Sequence, residues 1–116
     1  MASKTTQADR ARYAQIKMLG CVACRLNDNG LWCGWPEANH LVHNGYRRLS
    51  GGNLATVPLG PWHHRGEPPK DHTVKSAREA FGPSMFHEGK AFAERYGSQQ
   101  DLLILTNELL ETRVYS

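Results

Sequence analysis

The sequence predicts a small α+β domain, and three observations on its 116 residues carry that prediction. Helical patterns occur at both ends, two short strand-like runs occur in the middle, and cysteines and histidines cluster around those runs. A chain of this length has room for one core, so we expect a single domain over residues 1–116. Its parts are an N-terminal helix (1–20), a central region (21–97) and a C-terminal helix (98–116).

The N-terminal helix is predicted between Ala8 and Leu19. Thr6 opens a Thr-Gln-Ala-Asp capping box, in which two side chains satisfy free N–H groups of the first helical turn. Ile16 and Leu19 belong to an apolar series at intervals of three residues, and Gly20 suits the end of the helix. We expect an ordinary packing helix here.

A cysteine-containing knuckle without a regular element is predicted between this helix and the first strand. Cys21-Val-Ala-Cys24 presents two thiols at a spacing that can fill two corners of a zinc tetrahedron. Two more ligands are needed, and the candidates are Cys33 and His63, with His43 as a third. The alternatives are buried thiols without metal and a dithiol redox pair; the lack of a surrounding βαβ pattern speaks against the redox pair.

Charge and cysteine content indicate which partners and which cellular compartment suit the protein. Fourteen Lys and Arg against eleven Asp and Glu leave a net charge of +3, which is compatible with a polyanionic partner. Three cysteines cannot all pair, the start of the sequence lacks the apolar run of a signal peptide, and no run is long enough to span a bilayer. We therefore expect a cytoplasmic protein without membrane association, in which Cys-x-x-Cys serves metal or redox chemistry.

Two strands are predicted in the central region, over Ala38–Val42 and Leu54–Leu59. The glycine-rich basic segment between them favours a hairpin with a long loop. Asn39 and His40 lie on the first strand, and His64 follows the second. Histidine is a common metal ligand and a general base near neutral pH, so a strand-end histidine beside a metal is suited to activating water for attack on a phosphodiester.

The C-terminal third is predicted to contain two helices. Prolines 68 and 69 exclude a helix at that point, and a basic linker is predicted as far as Phe81. A helix over Ser84–Tyr96 follows, and a capping box at Ser98 opens a leucine-rich helix that extends to Glu111. The apolar stripe of that last helix comprises Leu102, Leu105, Leu109 and Leu110.

Several motifs occur in a characteristic order along the chain. They are Cys21–Cys24, Asn39-His40-Leu41, Gly51-Gly52-Asn53-Leu54, Leu59–Gly66 with its Gly-x-x-His-His, and His87–Phe92 followed by Tyr96-Gly97. In this order they resemble the HNH nucleases, and more closely the phage recombination-enhancement (Ref) type, over roughly residues 20 to 97. The resemblance implies a ββα-metal (HNH, or His-Me finger) domain with a zinc knuckle and flanking helices, and a phage-encoded, metal-dependent DNA endonuclease that acts in recombination, repair or processing.

The resemblance also implies roles at the reaction centre. His40 would be the general base, Asn53 would position it, and Arg65 would orient the phosphate. Basic residues near these positions are expected to contact the DNA backbone. They are Arg47, Arg48, Lys70 and Lys75.

Two metal sites follow from the same resemblance. A catalytic divalent ion, Mg²⁺ or Mn²⁺, would be held by His64, His87 and Asn39, with His72 as an alternative to His87. Gly60 stands where the related pattern has a zinc-binding cysteine, and Cys33 is the expected substitute. The structural zinc would be held by Cys21, Cys24, Cys33 and His63.

DNA is the expected partner, with a recombinase or another phage or host DNA-processing protein beside it. Asn39 is a neutral side chain where the related pattern has an aspartate or histidine. The alternative function is therefore a catalytically impaired, zinc-stapled accessory protein that binds DNA in recombination. The oligomeric state is left open by the sequence.

Overall fold

Helices and a two-stranded sheet make up the described part of this small mixed domain. In the computed structural model the described residues are 7–40 and 56–115, without the side chains at positions 8, 9, 40 and 113–115. None of the helices in these ranges is both long and apolar enough to cross a membrane. In chain order the elements are α1 (Gln7–Leu19), α2 (Val22–Asn27), β1 (Glu37–His40), β2 (Thr56–Leu59), α3 (Pro61–Arg65), α4 (Val74–Phe81), α5 (Gly89–Tyr96) and α6 (Gln99–Tyr115).

The sheet consists of β1 and β2, which pair antiparallel with Glu37 opposite Leu59 and His40 opposite Thr56. All four residues of β2 are buried, because α1 and α6 pack against this strand. The predicted pair of strands is confirmed at these positions. The rest of each predicted strand, together with the predicted loop, falls on positions 41–55 and lies outside the described residues.

Arg12 of α1 joins three elements at the end of the sheet that carries His40. Its guanidinium donates to Thr56 Oγ1 at 2.9 Å and to the Thr56 backbone oxygen at 2.7 Å. It also donates to Asn107 Oδ1 on α6 at 2.9 Å. Because Thr56 is the register partner of His40, these bonds fix the strand end next to the predicted catalytic base.

The core lies between the sheet and the helices. Trp62 of α3 is fully buried, and its indole N–H donates to the backbone oxygen of Gly82 at 2.9 Å. A buried indole with its polar atom paired contributes to packing, and it is not accessible to a ligand. The largest apolar side chains buried with it include Ile16, Val22, Val57, Leu59, Phe92 and Leu102.

Two of the predicted local structures are wrong. The knuckle after Cys21 contains a helix, α2, which Cys21 precedes and Asp28 ends in a left-handed conformation (φ 52°). The predicted linker before Phe81 contains α4, which begins with a capping box: the Thr73 hydroxyl accepts from the Ser76 amide, and the Ser76 hydroxyl accepts from the Thr73 amide. Six residues are too few for a periodic pattern, and a serine at the third helical position is a weak capping signal.

The predicted helix over Ser84–Tyr96 is shorter than expected. Its helical part, α5, begins at Gly89, and His87 lies on the turn before it. Ser84 holds this turn, because its hydroxyl accepts from the His87 amide at 2.9 Å and its carbonyl accepts from the Glu88 amide at 2.9 Å. A serine that bonds nearby backbone groups competes with helix formation.

The C-terminal helix agrees with its prediction. The Ser98 amide donates to Asp101 Oδ2 at 3.0 Å, and the Asp101 amide donates to Ser98 Oγ at 3.1 Å. These two bonds are the predicted capping box. Within the apolar stripe Leu102 is buried, and Leu103, which the predicted stripe does not include, is buried beside it.

Candidate metal centre and the adjacent histidine site

Four predicted zinc ligands come together in the interior. Cys21 directly precedes α2, Cys24 lies within it, Cys33 lies on the loop before β1, and His63 lies on α3. All four are at most 2% exposed. Across the part of the chain that the structure describes, they are the one group of three or more Cys, His, Asp or Glu placed to hold a metal ion.

The spacing of the four ligand atoms fits a tetrahedral zinc ion. His63 Nδ1 lies 3.3 Å from Cys21 Sγ, 3.6 Å from Cys24 Sγ and 3.4 Å from Cys33 Sγ. Bond lengths of about 2.3 Å to sulfur and 2.0 Å to nitrogen place tetrahedral ligand atoms about 3.5 Å apart for sulfur and nitrogen, and about 3.8 Å for two sulfurs. Cys33 Sγ and Cys21 Sγ are 4.0 Å apart. The group could therefore hold a metal such as zinc.

Hydrogen bonds orient the His63 ring toward the sulfurs. Its Nε2 lies 2.8 Å from the backbone oxygen of Phe81, which can only accept, so Nε2 carries the proton and donates. Nδ1 is then free of a proton and presents its lone pair to the three thiols. The hydroxyl of Tyr96 lies 2.9 Å from the Phe81 oxygen and 2.9 Å from Asn27 Oδ1, two acceptors between which it has one proton to donate.

The thiols of this group ionise unequally. Burial opposes ionisation of Cys21, but hydrogen bonds from Cys24 and Cys33 outweigh it and hold the pKa of Cys21 well below its usual range. Hydrogen bonds to Cys21 and Cys33 raise the pKa of Cys24 in turn. Cys21 is therefore more ready than Cys24 to carry a negative charge. A metal ion at this cluster would be bound by thiolates, so its binding would release protons.

Gly60 explains how Cys33 can serve as a ligand. A Cβ atom placed on Gly60 would overlap Cys33 Sγ. Cys33 thus fills the space that a side chain at position 60 would occupy. The sequence proposed Cys33 as the substitute for a cysteine at this position, and the structure places its sulfur there.

A second polar group lies beside the cluster and centres on His64. His64 Nδ1 lies 2.9 Å from Glu37 Oε1, and Arg65 Nε lies 3.0 Å from Glu37 Oε2. Burial opposes ionisation of Glu37, but the bonds from His64 and Arg65 prevail and lower the pKa of its carboxyl group. Arg65 also forms an ion pair with Glu67. The sequence prediction did not include Glu37; its position two residues before Asn39, on the same face of β1, is the signal that could have identified it.

His87 contacts the same region from the turn before α5. Its Nε2 lies 3.0 Å from the backbone oxygen of Gly66, the residue that ends α3. Its ring packs at 5.5 Å from Trp62, measured between ring centroids. Gly66 has φ 71°, and a Cβ on it would overlap the His87 ring, so only glycine fits this contact. His72, the alternative ligand, instead bonds Ser76 Oγ at 3.1 Å and packs on Phe81.

The structure describes the other predicted site residues only in part. Asn39 is buried, and its Nδ2 has no hydrogen-bond partner among the described residues. His40 is the last residue of β1, and its side chain is not among those described. Lys70 and Lys75 are exposed. Four residues of the sequence prediction lie outside the described ranges: His43, Arg47, Arg48 and Asn53.

Comparisons with known proteins identify the family. A family model described as recombination enhancement, RecA-dependent nuclease, matches residues 5–111. No curated protein matches the chain. The family match includes both strands, the buried cysteine and histidine group and the histidine site. The chain therefore belongs to the family of recombination-enhancement, RecA-dependent nucleases.

Proposed function

We propose that this protein is a metal-dependent DNA endonuclease of the ββα-metal (HNH) type, and that it hydrolyses phosphodiester bonds in DNA recombination, repair or processing. One observation carries the proposal beyond the family assignment. His64 and His87 each have one ring nitrogen within hydrogen-bond distance of an oxygen acceptor. Metal-binding histidines typically have this arrangement, because it fixes the tautomer and the ring orientation.

The two bonds leave a different nitrogen available on each ring. His64 donates from Nδ1 to Glu37, so its Nε2 retains the lone pair. His87 donates from Nε2 to the Gly66 carbonyl, so its Nδ1 retains the lone pair. Both residues are connected to the end of α3, His64 as a member of it and His87 through Gly66. They are the two imidazole ligands that we assign to the catalytic ion.

Asn39 is the proposed third ligand. It is buried on the same face of β1 as Glu37, the residue that bonds His64. Rotation of its amide about the last side-chain bond exchanges Nδ2 with Oδ1, which would put an oxygen acceptor at the position now without a partner. An amide oxygen without a protein donor is suited to a divalent cation such as Mg²⁺ or Mn²⁺.

The proposed reaction gives each of the predicted residues a role. A divalent ion at this site would supply charge stabilisation for the phosphate oxygens and the leaving oxygen. His40 would accept a proton from the attacking water, and Asn53 would hold its ring. Arg65 would exchange its bonds to Glu37 and Glu67 for bonds to the phosphate. A guanidinium can donate two parallel hydrogen bonds to one phosphate group. The surrounding DNA backbone would contact Arg47, Arg48, Lys70 and Lys75.

The proposal is tested by nicking of supercoiled plasmid with Mg²⁺ or Mn²⁺. His40→Ala should abolish most of the activity, because general-base catalysis contributes roughly a hundredfold to ten-thousandfold. His64→Ala and His87→Ala should do the same through loss of the catalytic ion. His72→Ala is the matched control, since His72 is hydrogen-bonded and ring-packed away from this group. If His40→Ala cuts as fast as the unmodified protein, the assignment of the base is wrong.

One observation favours a second function. Asn39 is neutral and buried, and a neutral third ligand binds a divalent ion more weakly than a carboxylate does. A catalytically impaired, zinc-stapled protein that binds DNA beside a recombinase would retain the cysteine cluster without cleaving. One zinc per chain, DNA binding and no nicking with any divalent ion would favour this accessory role.

A further inference from the structure

A pocket lies between the end of α1 and the loop that carries Cys33. Its volume is about 440 Å³. None of its lining residues belongs to the cysteine cluster or to the histidine site. They include Lys17, Met18, Gly20, Arg25, Trp32 and Trp35.

Two exposed indoles dominate this pocket. Trp32 is 50% exposed and Trp35 is 67% exposed. They flank Cys33, which the cluster holds: its Sγ lies 3.4 Å from His63 Nδ1, and its amide donates to Cys24 Sγ at 3.3 Å. The contacts of Cys33 therefore hold the loop that carries both tryptophans.

Gly20 provides the backbone surface on which the Trp32 ring packs. It follows α1 with φ 79°, and a Cβ on it would lie 2.6 Å from Trp32 Cζ3. The indole thus packs directly on the glycine backbone while half of its surface stays exposed. Large apolar side chains that stay exposed together commonly mark a binding surface, and Met18, which lines the same pocket, is 61% exposed.

The charges around the pocket are cationic. Lys17 and Arg25 line it, and no acidic residue is among its lining residues. One N–H group of Arg25 donates to the Leu19 backbone oxygen at 2.6 Å, which places the guanidinium at this pocket. A guanidinium has five N–H donors, so it can bind a phosphate oxygen as well.

We propose that this pocket binds an unpaired stretch of a DNA strand. Bases would stack on Trp35 and Trp32, and the phosphates would contact Lys17 and Arg25. Exposed aromatic rings beside a cationic surface are the usual means of holding single strands, because every base has a face that can stack. Duplex DNA hides those faces in its own stack. The inference goes beyond cleavage, since none of these residues belongs to the histidine site.

Intrinsic fluorescence of the zinc-loaded full chain tests the proposal. Poly(dT), added without Mg²⁺ or Mn²⁺, should quench the emission of Trp32 and Trp35 and leave that of the buried Trp62 unchanged. Trp35→Ala should weaken binding by about 5-fold to 150-fold, the range expected for one base stacked on an aromatic ring. Trp35→Phe should retain most of the affinity. Ile104→Ala is the control, because Ile104 is also 50% exposed and lies on α6.

Salt dependence provides a second readout that does not involve the tryptophans. Lys17→Gln should reduce the slope of log K against log salt by about 0.7, the value for one phosphate contact on a single strand. His40→Ala should bind poly(dT) as the unmodified protein does, which separates this proposal from the outcome of the nicking assay.

Three outcomes would overturn the proposal. Equal affinities of poly(dT) for Trp35→Ala and the unmodified protein, with both folded by circular dichroism, would exclude stacking on Trp35. Quenching of the Trp32 and Trp35 emission by a DNA duplex as strong as that by poly(dT) would exclude selection of unpaired bases at this pocket. Quenching by polyglutamate and not by poly(dT) would assign the pocket to an acidic protein partner instead.

Discussion

His63 and His64 are consecutive residues of α3, and their rings bond different partners. His63 Nδ1 lies within 3.6 Å of three cysteine sulfurs, whereas His64 Nδ1 lies 2.9 Å from Glu37 Oε1. A helix of five residues thus joins the candidate zinc cluster to the histidine site. Any change that displaces one ring is expected to displace the other.

Removal of a cysteine from the cluster should release the zinc and destabilise the fold. Zinc at a thousand times its Kd stabilises a folded protein by about 4 kcal/mol, and Cys33→Ala should lose most of this. Elemental analysis and the Tm measure the two effects. His72→Ala is the control, because it removes a histidine outside the cluster. One zinc per chain and an unchanged Tm in Cys33→Ala would show that Cys33 is not a ligand.

Glu37→Gln should impair nicking without loss of zinc. The substitution keeps the shape of the side chain but weakens the bond that orients His64, and loss of such a partner typically costs 10-fold to 100-fold in metal affinity or activity. Glu67→Gln is the matched control, since Glu67 pairs with Arg65 and has no bond to His64. Similar nicking by the two variants would show that Glu37 acts only through Arg65.

The contribution of Glu37 to stability should disappear in acid. Its pKa in the folded protein is lowered, so its contribution is complete above the pKa of the unfolded chain, about 4.3, and is lost as the pH falls through the folded value. The contribution is about 1 kcal/mol or less, because solvent screens this partly exposed pair. The stabilities of the unmodified protein and Glu37→Gln, measured by urea unfolding, should converge as the pH falls through the lowered pKa of Glu37. A constant difference at all pH values would contradict this origin.

Gly66→Ala should destabilise the protein and reduce nicking. An alanine in the left-handed region costs about 1–2 kcal/mol, and its methyl group would also displace the His87 ring. Gly89→Ala is the matched control: no atom lies within 4 Å of a Cβ at that position. Urea midpoints and nicking rates are measured for both variants. Equal values for the two would show that the contact between Gly66 and His87 contributes neither to stability nor to nicking.

Lys70 and Lys75 should contact the backbone of duplex DNA. Each of Lys70→Gln and Lys75→Gln should lower the slope of log K against log salt by about 0.9, whatever the DNA sequence. Lys90→Gln changes the charge equally at an exposed position on α5 and is the control. Equal slopes for all three variants would place the DNA elsewhere.

Local signals predicted much of the fold, whereas the pairing of Glu37 with His64 was missed because it joins distant residues. The capping box of Ser98 and Asp101 is contained in four residues, and the structure has it. The bond between Glu37 and His64 joins residues 27 positions apart, and no local pattern reports it. The register of the sheet creates this pair, because it brings the start of β1 to the end of β2, directly before α3.

Some features of the candidate site could likewise be predicted from the sequence, and others could not. Cys33 could be proposed as a ligand because the chain has three cysteines, and Gly60 stands where the related pattern has a zinc-binding cysteine. The place of His87 on a turn was not predicted: Ser84, which begins the predicted helix, instead accepts from the His87 amide through its hydroxyl. The pocket of Trp32 and Trp35 depends on the packing of Gly20, which the sequence indicated only as a helix end.

The cysteine cluster also determines where the chain can tolerate insertions. Cys33 precedes β1 and His63 follows β2, so a bound ion closes a loop that includes both strands and positions 41–55. The entropy of closing a loop grows slowly with its length, by about 0.6 kcal/mol for each doubling. Extra residues between the strands should therefore cost little stability and leave the pair of histidines on α3 in place.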